Sequence, residues 1–239
     1  MTHALFLNDA YLREGAGHVQ AHTPEGAVIL DASLFYPTGG GQPGDSGWLI
    51  WPGGTMNVAT TIKTEAGDIA LVPAEPTALP PVGASVTQRL DWRRRHGHMR
   101  MHTALHLLSV VISLPVTGGS MSQAKGRLDF DMSDAPQNKA ALEDKLNDLV
   151  DRDLPVTQDW ITEAELDAYP DLVKTLSVAP PRGAGKVRLI RIGQGDAQVD
   201  LQPCGGTHVA RTGEIGRLHL GKIEKKGRQN RRVYLHVDD

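Results

Sequence analysis

Cysteine is almost missing from this chain: Cys204 is the single one among 239 residues. A lone thiol excludes an internal disulfide and fits a reducing compartment. Long apolar runs are missing too, and no stretch approaches the roughly 20 residues that a membrane-spanning helix needs. The N-terminus has no basic segment followed by apolar and then small residues, so export is not expected and the compartment read is the cytoplasm. Neither sign of charge dominates, with 25 bases against 28 acids, and there is no internal repeat. The remaining composition, 40% apolar and 22% charged, is that of an ordinary globular protein of one large or two small domains.

Two further absences concern motifs. Residues 35–47 hold five glycines and two prolines, but no lysine and no helix-start context, so they do not form a P-loop. A phosphate cradle, a structural turn and packing between domains stay open for this loop. The residue after His102 is Thr103, not the glutamate that a zinc peptidase of the H-E-x-x-H type requires.

What is present is two tight pairs, His102 with His106 and Cys204 with His208. Imidazole nitrogen and thiolate sulfur suit a borderline-soft cation such as zinc. On a helix, residues four apart share a face, with about 5–6 Å between Cβ atoms. A helix is expected over about 99–113, with Met101, Leu105, Leu108 and Ile112 as its buried stripe and the histidines at its edge beside Ser109 and Ser113. Gly205-Gly206 disfavours a second helix, so 204–208 reads as a tight turn between strands. Either pair alone has a bland reading, as a chance histidine spacing or a small apolar filler; together they favour one metal site closed by the fold.

Short apolar runs at 4–7, 27–30, 48–51, 69–72 and 85–90 alternate with turn signals, which predicts a small β-barrel over 1–90. Residues 91–239 read as an α+β domain. Strands are expected at 120–123, 126–131, 187–192, 197–201, 215–220 and 232–237. One helix would be opened by Pro136, capped by Ser133 or Asp134, and would bury Leu142, Leu146, Leu149 and Val150. Thr162 and Glu165 form a capping box for a shorter helix.

Charge is segregated beneath the small net value. Arg89, Arg93, Arg94, Arg95 and Arg100 crowd one window; Lys222, Lys225, Lys226, Arg228, Arg231 and Arg232 crowd another, with only Asp91 and Glu224 among them. Such a run is either a solvated face or the footprint of a polyanion, RNA or DNA.

Taken together, His102-x3-His106, Cys204-Gly205-Gly206-Thr207-His208, the Arg211-Thr212-Gly213-Glu214-Ile215-Gly216 that follows, Asn230-Arg231-Arg232 and the glycine-rich loop resemble the freestanding alanyl-tRNA editing proteins, the AlaX group, and the editing region of alanyl-tRNA synthetase. The resemblance implies an N-terminal barrel followed by a zinc-containing editing domain. It implies Zn²⁺ on His102, His106, Cys204 and His208, and hydrolysis of mischarged Ser-tRNA(Ala), with Gly-tRNA(Ala) as a second substrate. Gln123 matches a pocket position associated with recognising the wrong amino acid, and Asp200 and Thr207 are further candidates for the catalytic site. Arg100, Arg231 and Arg232 are the candidate substrate-binding cations. Leu105 stands where the synthetase pattern has a threonine. ATP and membranes are not expected as partners, and the protein is expected to act as a monomer. The ion has two roles open to it, activating water with three protein ligands or positioning the substrate with four. The alternative to an enzyme is a zinc-stabilised tRNA-binding module.

Overall fold

A computed structural model describes residues 1–173 and 185–238, which divide into two compact units, Met1–Gly97 and His98 to the C-terminus. The first unit is built on eight strands: β1 (His3–Ala4), β2 (Glu14–His22), β3 (Val28–Leu30), β4 (Ala32–Ser33), β5 (Gly47–Trp51), β6 (Gly54–Lys63), β7 (Ile69–Pro73) and β8 (Ser85–Leu90). Six of them close a barrel in the order β2-β3-β7-β6-β5-β8, as the sequence leads one to expect. Alternation explains the inside. Along β8, Val86, Gln88 and Leu90 point inward, and Val19, Leu30, Leu49, Met56 and Leu71 from the other strands meet them in one core. Gln88 is the polar exception, and it is satisfied: its amide donates to Ala16 O and Ala32 O and accepts from Leu34 N.

Three local readings change here. The run at 4–7 is not one strand: Ala4 ends β1, and Leu5–Leu7 closes a 3-10 turn that buries Phe6. β2 and β6, the two longest barrel strands, carry too few apolar residues to stand out as runs. The glycine-rich loop is a structural turn within this unit. Thr38 N donates to Thr61 O at 2.8 Å, and Tyr36 N donates to Asp45 Oδ2 at 2.6 Å. A Cβ on Gly44 would lie 2.2 Å from Thr61 O. Arg95, only 1% exposed, closes the loop by donating Nε–H to Asp45 at 2.9 Å and further N–H groups to the carbonyls of Leu34 and Ala10.

Helix α1 (Trp92–Val111) starts seven residues before the expected point. Asp91 caps it, its Oδ1 accepting from Arg94 N at 3.1 Å. The expected stripe of Met101, Leu105, Leu108 and Ile112 is buried, and so are His102, Thr103, Ala104, His106 and Leu107. The helix is therefore surrounded rather than half-solvated. Next come β9 (Val116–Met121), β10 (Lys125–Asp131), α2 (Lys139–Asp151), β11 (Val156–Thr162), α3 (Glu163–Ala168), β12 (Lys186–Ile192), β13 (Asp200–Pro203), β14 (Leu218–Gly227) and β15 (Asn230–Val237).

Two antiparallel sheets result, β14-β15-β10-β9 and β11-β12-β13, giving this unit its α+β character. α1 packs on the first sheet at Gly126, where a Cβ would lie 2.6 Å from Met101 Sδ and 3.1 Å from Leu105. Asn147 of α2 ties to β14 by exchanging two bonds with the backbone of Leu218, both 3.0 Å. Asn138 caps α2, displacing the expected Ser133 or Asp134 and leaving Pro136 outside; Leu146, Leu149 and Val150 are buried and Leu142 is half-buried. The Thr162–Glu165 capping box opens α3. β13 begins three residues late because Gly195–Ala197 forms a 3-10 turn, and β14 begins late because Thr212–Ile215 forms another. Among the described residues no helix is long and apolar enough to cross a membrane.

Candidate metal centre

α1 and the loop after β13 bring the two sequence pairs together. One ligand atom from each of His102, His106, Cys204 and His208 lies within 4.8 Å of all the others. Cys204 Sγ is 3.5 Å from His102 Nε2 and 3.2 Å from His208 Nε2. Zn–N bonds of about 2.0–2.1 Å and a Zn–S bond of about 2.3 Å would put tetrahedral neighbours about 3.5 Å apart. The donor set and its spacing fit such an ion. The three imidazole rings, 4.3 to 5.3 Å apart between centroids, leave little room for anything larger.

Each of two histidines is oriented by a partner outside the cluster. His106 Nδ1–H donates to Asp200 Oδ2 at 2.9 Å, which leaves Nε2 as the ligating nitrogen. Asp200 is 2% exposed and is itself steadied by Gln202 Nε2 at 2.8 Å. On the other side, Thr103 gives its one hydroxyl proton to Met99 O at 3.0 Å. Its oxygen then accepts from Val209 N at 3.3 Å and from His208 Nδ1–H at 3.2 Å. His208 Nε2 is thereby left with its lone pair facing Cys204.

The electrostatics prepare the ligands. Burial alone would raise the Cys204 thiol, yet His102 beside it holds it well below its ordinary value. Burial, with His102 adding to it, pushes His208 down to about 3 and keeps it neutral. His106 goes the other way: burial opposes its charge, but Asp200 and the Cys204 thiolate override it and raise it to about 9. Thiolate and neutral imidazole are the forms that bind a cation, so loading the site would release the His106 proton.

The remaining sequence-derived candidates are more scattered. Thr207 is fully buried between Gly206 and His208. Gln123 sits half-buried in the turn between β9 and β10, and among the described hydrogen bonds none joins it to the four ligands. The three arginines expected to meet substrate are turned to internal partners. Arg100 donates to Ile215 O at 2.7 Å and to Asp238 O at 2.6 Å. Arg231 is 7% exposed and donates to the carbonyls of Gly227, Asn230 and Ser133. Arg232 grips both oxygens of Asp129, at 2.7 and 2.9 Å. Much of the first basic window is structural in the same way, since Arg94 and Arg95 bind Gly44 O and Asp45. The second window stays at the surface, where Lys222, Lys225, Lys226 and Arg228 are exposed.

Three supporting residues escaped the sequence: Thr103, Gln202 and Arg188. Arg188 had a signal, a lone cation in the apolar Val187-Arg188-Leu189-Ile190 of β12. Its side chain is 8% exposed and turns toward the Cys204–Gly206 loop.

Comparison with known proteins agrees with this arrangement. The family described as "Threonyl and Alanyl tRNA synthetase second additional domain" matches residues 187–234, which include β13 and the Cys204–His208 loop. The family described as "tRNA synthetases class II (A)" matches residues 10–94. Alanyl-tRNA editing protein AlaX-M of Methanosarcina acetivorans is 34% identical, with the full length of both chains covered. AlaX-M of Saccharolobus solfataricus is 31% identical over 99% of each chain. The alanine–tRNA ligase of Pyrobaculum calidifontis is 35% identical over 94% of this chain, which spans 25% of the ligase. With a closed barrel, a converged His-His-Cys-His cluster and relatives matched end to end, this chain belongs to the AlaX-M alanyl-tRNA editing proteins.

Proposed function

We propose that this protein hydrolyses the aminoacyl ester of Ser-tRNA(Ala), and of Gly-tRNA(Ala) as a second substrate, at the tRNA 3′ end. The single observation that supports this most is the cluster itself: one cysteine and three histidines with ligand atoms gathered within reach of one ion, and Asp200 and Thr103 fixing two of the rings. The need for such an activity is physical. A hydrophobic pocket separates near-isosteres such as alanine, serine and glycine by only about 10–200-fold, so a second hydrolytic sieve is useful.

Zinc held by His102, His106, Cys204 and His208 would supply Lewis-acid or positioning chemistry at the ester. The other roles fall to the chain. Gln123 offers amide hydrogen bonds to the serine hydroxyl. Asp200 keeps His106 aligned, and Thr207 packs the ligand loop. Exposed Lys222, Lys225, Lys226 and Arg228 meet the phosphate backbone in place of Arg100, Arg231 and Arg232. Ester hydrolysis is downhill in water, so no ATP is required, and the proposed setting is a cytoplasmic monomer.

The test is a deacylation assay on Ser-tRNA(Ala), Gly-tRNA(Ala) and Ala-tRNA(Ala), paired with metal analysis. Serine should be released, alanine spared, and release abolished in Cys204→Ala. A zinc-loaded protein that binds tRNA(Ala) without cleaving the ester would overturn the proposal and favour a binding module.

A further inference from the structure

The Cys204-Gly205-Gly206 segment carries one ligand and leads to another, yet its own sequence is poorly suited to hold a shape. Two adjacent glycines have more conformational freedom to lose than any other pair. Arg188 supplies the missing restraint. Its backbone carbonyl accepts from Cys204 N at 3.1 Å, while its Nη1 donates to Cys204 O at 3.3 Å and to Gly206 O at 2.7 Å. Residue 204 is thus gripped on both sides of its peptide. Gly206 N in turn lies 3.4 Å from Cys204 Sγ, folding the loop over the sulfur. Nε–H is taken by Gln158 Oε1 at 2.7 Å, which fixes the guanidinium plane. Burying an arginine costs several kcal/mol unless its donors are matched. An apolar residue on this strand would pack without that cost but could not bind the two carbonyls.

We propose that Arg188 is a positioning residue for the metal centre. By binding the carbonyls of Cys204 and Gly206 it selects the loop conformation from which Cys204 Sγ and His208 Nε2 meet His102 and His106. This rests on reading the four side chains as a metal site, but not on which ester the protein cleaves. Supporting groups of this kind typically change metal affinity by about 10–100-fold.

The experiment is Co²⁺ titration of the full chain, following the visible ligand-field bands and the near-ultraviolet thiolate-to-cobalt band. Wild type should give a four-coordinate spectrum with a thiolate ligand. R188M should bind Co²⁺ about 10–100-fold more weakly, with its bands displaced, and R188K should fall between the two because one ammonium reaches one carbonyl. A residue that only stabilised the fold would lower the melting temperature and leave the spectrum of the loaded protein unchanged. Should R188M not fold, Gln158→Leu removes the partner of Nε–H, loosens the guanidinium and should still weaken Co²⁺ binding. R188M (or, if it does not fold, Gln158→Leu) with wild-type affinity and a superimposable spectrum overturns the proposal. A wild type that binds no Co²⁺ removes the metal reading with it, an outcome distinct from a loaded protein that fails to deacylate.

Discussion

Asp200 and Asp129 are both buried carboxylates, and their neighbours give them different work. Asp200 accepts from the His106 imidazole and from the Gln202 amide, and its charge orients His106. Asn at 200 keeps the volume but removes the charge and can present an amide N–H to Nδ1. Asp200→Asn should therefore weaken zinc binding by about 10–100-fold with little loss of fold, read by competition against a chromophoric chelator. Unchanged affinity would show that His106 does not need this partner. Asp129 lies between Arg127 and Arg232. Burial tends to raise its carboxyl, and the two guanidiniums outweigh that and hold it below the ordinary 3.8. A depressed carboxyl contributes stability that is fully present above the unfolded value and is lost as pH falls through the folded one. Asp129→Asn should consequently lower the melting temperature at neutral pH and narrow its difference from wild type in acid. A parallel offset at every pH would rule this out.

At the scale of elements, the strongest periodicities were legible and their ends were not. The α1 stripe could be read because four apolar residues repeat at helical spacing; its start could not, because residues 93–98 of its first two turns are arginines, histidines and a glycine that carry none of the stripe. At α2 the element was legible and its cap was not, because Ser133, Asp134 and Asn138 can all cap a helix, and Asn138 does. The glycine-rich loop is the sharper lesson. Composition alone leaves a phosphate cradle and a packed turn equally open, and the choice is made by Thr61, sixteen residues beyond Asp45, whose backbone leaves no space for a Cβ at position 44. Gly44→Ala should hence destabilise the barrel unit by about 1–3 kcal/mol through overpacking, measured by urea denaturation. Wild-type stability in that variant would mean the loop can shift away from β6.

For the molecule as a whole, a preset site couples metal to stability. An ion that binds only the folded state adds about 4 kcal/mol at a thousand times its dissociation constant. For a chain of this size that is on the order of 10 °C in melting temperature. Zinc should raise the melting temperature of wild type by such an amount, EDTA should reverse it, and Cys204→Ala should be insensitive to both. A wild type indifferent to zinc and EDTA would argue against a metal at this cluster.

The sequence by itself determined the donor set, the barrel ahead of an α+β unit, and the family, because each is written in local spacing or in residues that few other chemistries require. Tertiary structure alone decided what the other polar side chains do. Arg100, Arg231 and Arg232 look like substrate-facing cations in one dimension and are bonded to carbonyls and a carboxylate in three. Thr103 and Gln202 carry no signal in the sequence and Arg188 only that of a lone cation in an apolar strand, yet all three bond to the four candidate ligands or to their partners. A charged or polar side chain takes its role from the partner that meets it on burial, and that partner comes from about 30 to 140 residues away in several of these bonds.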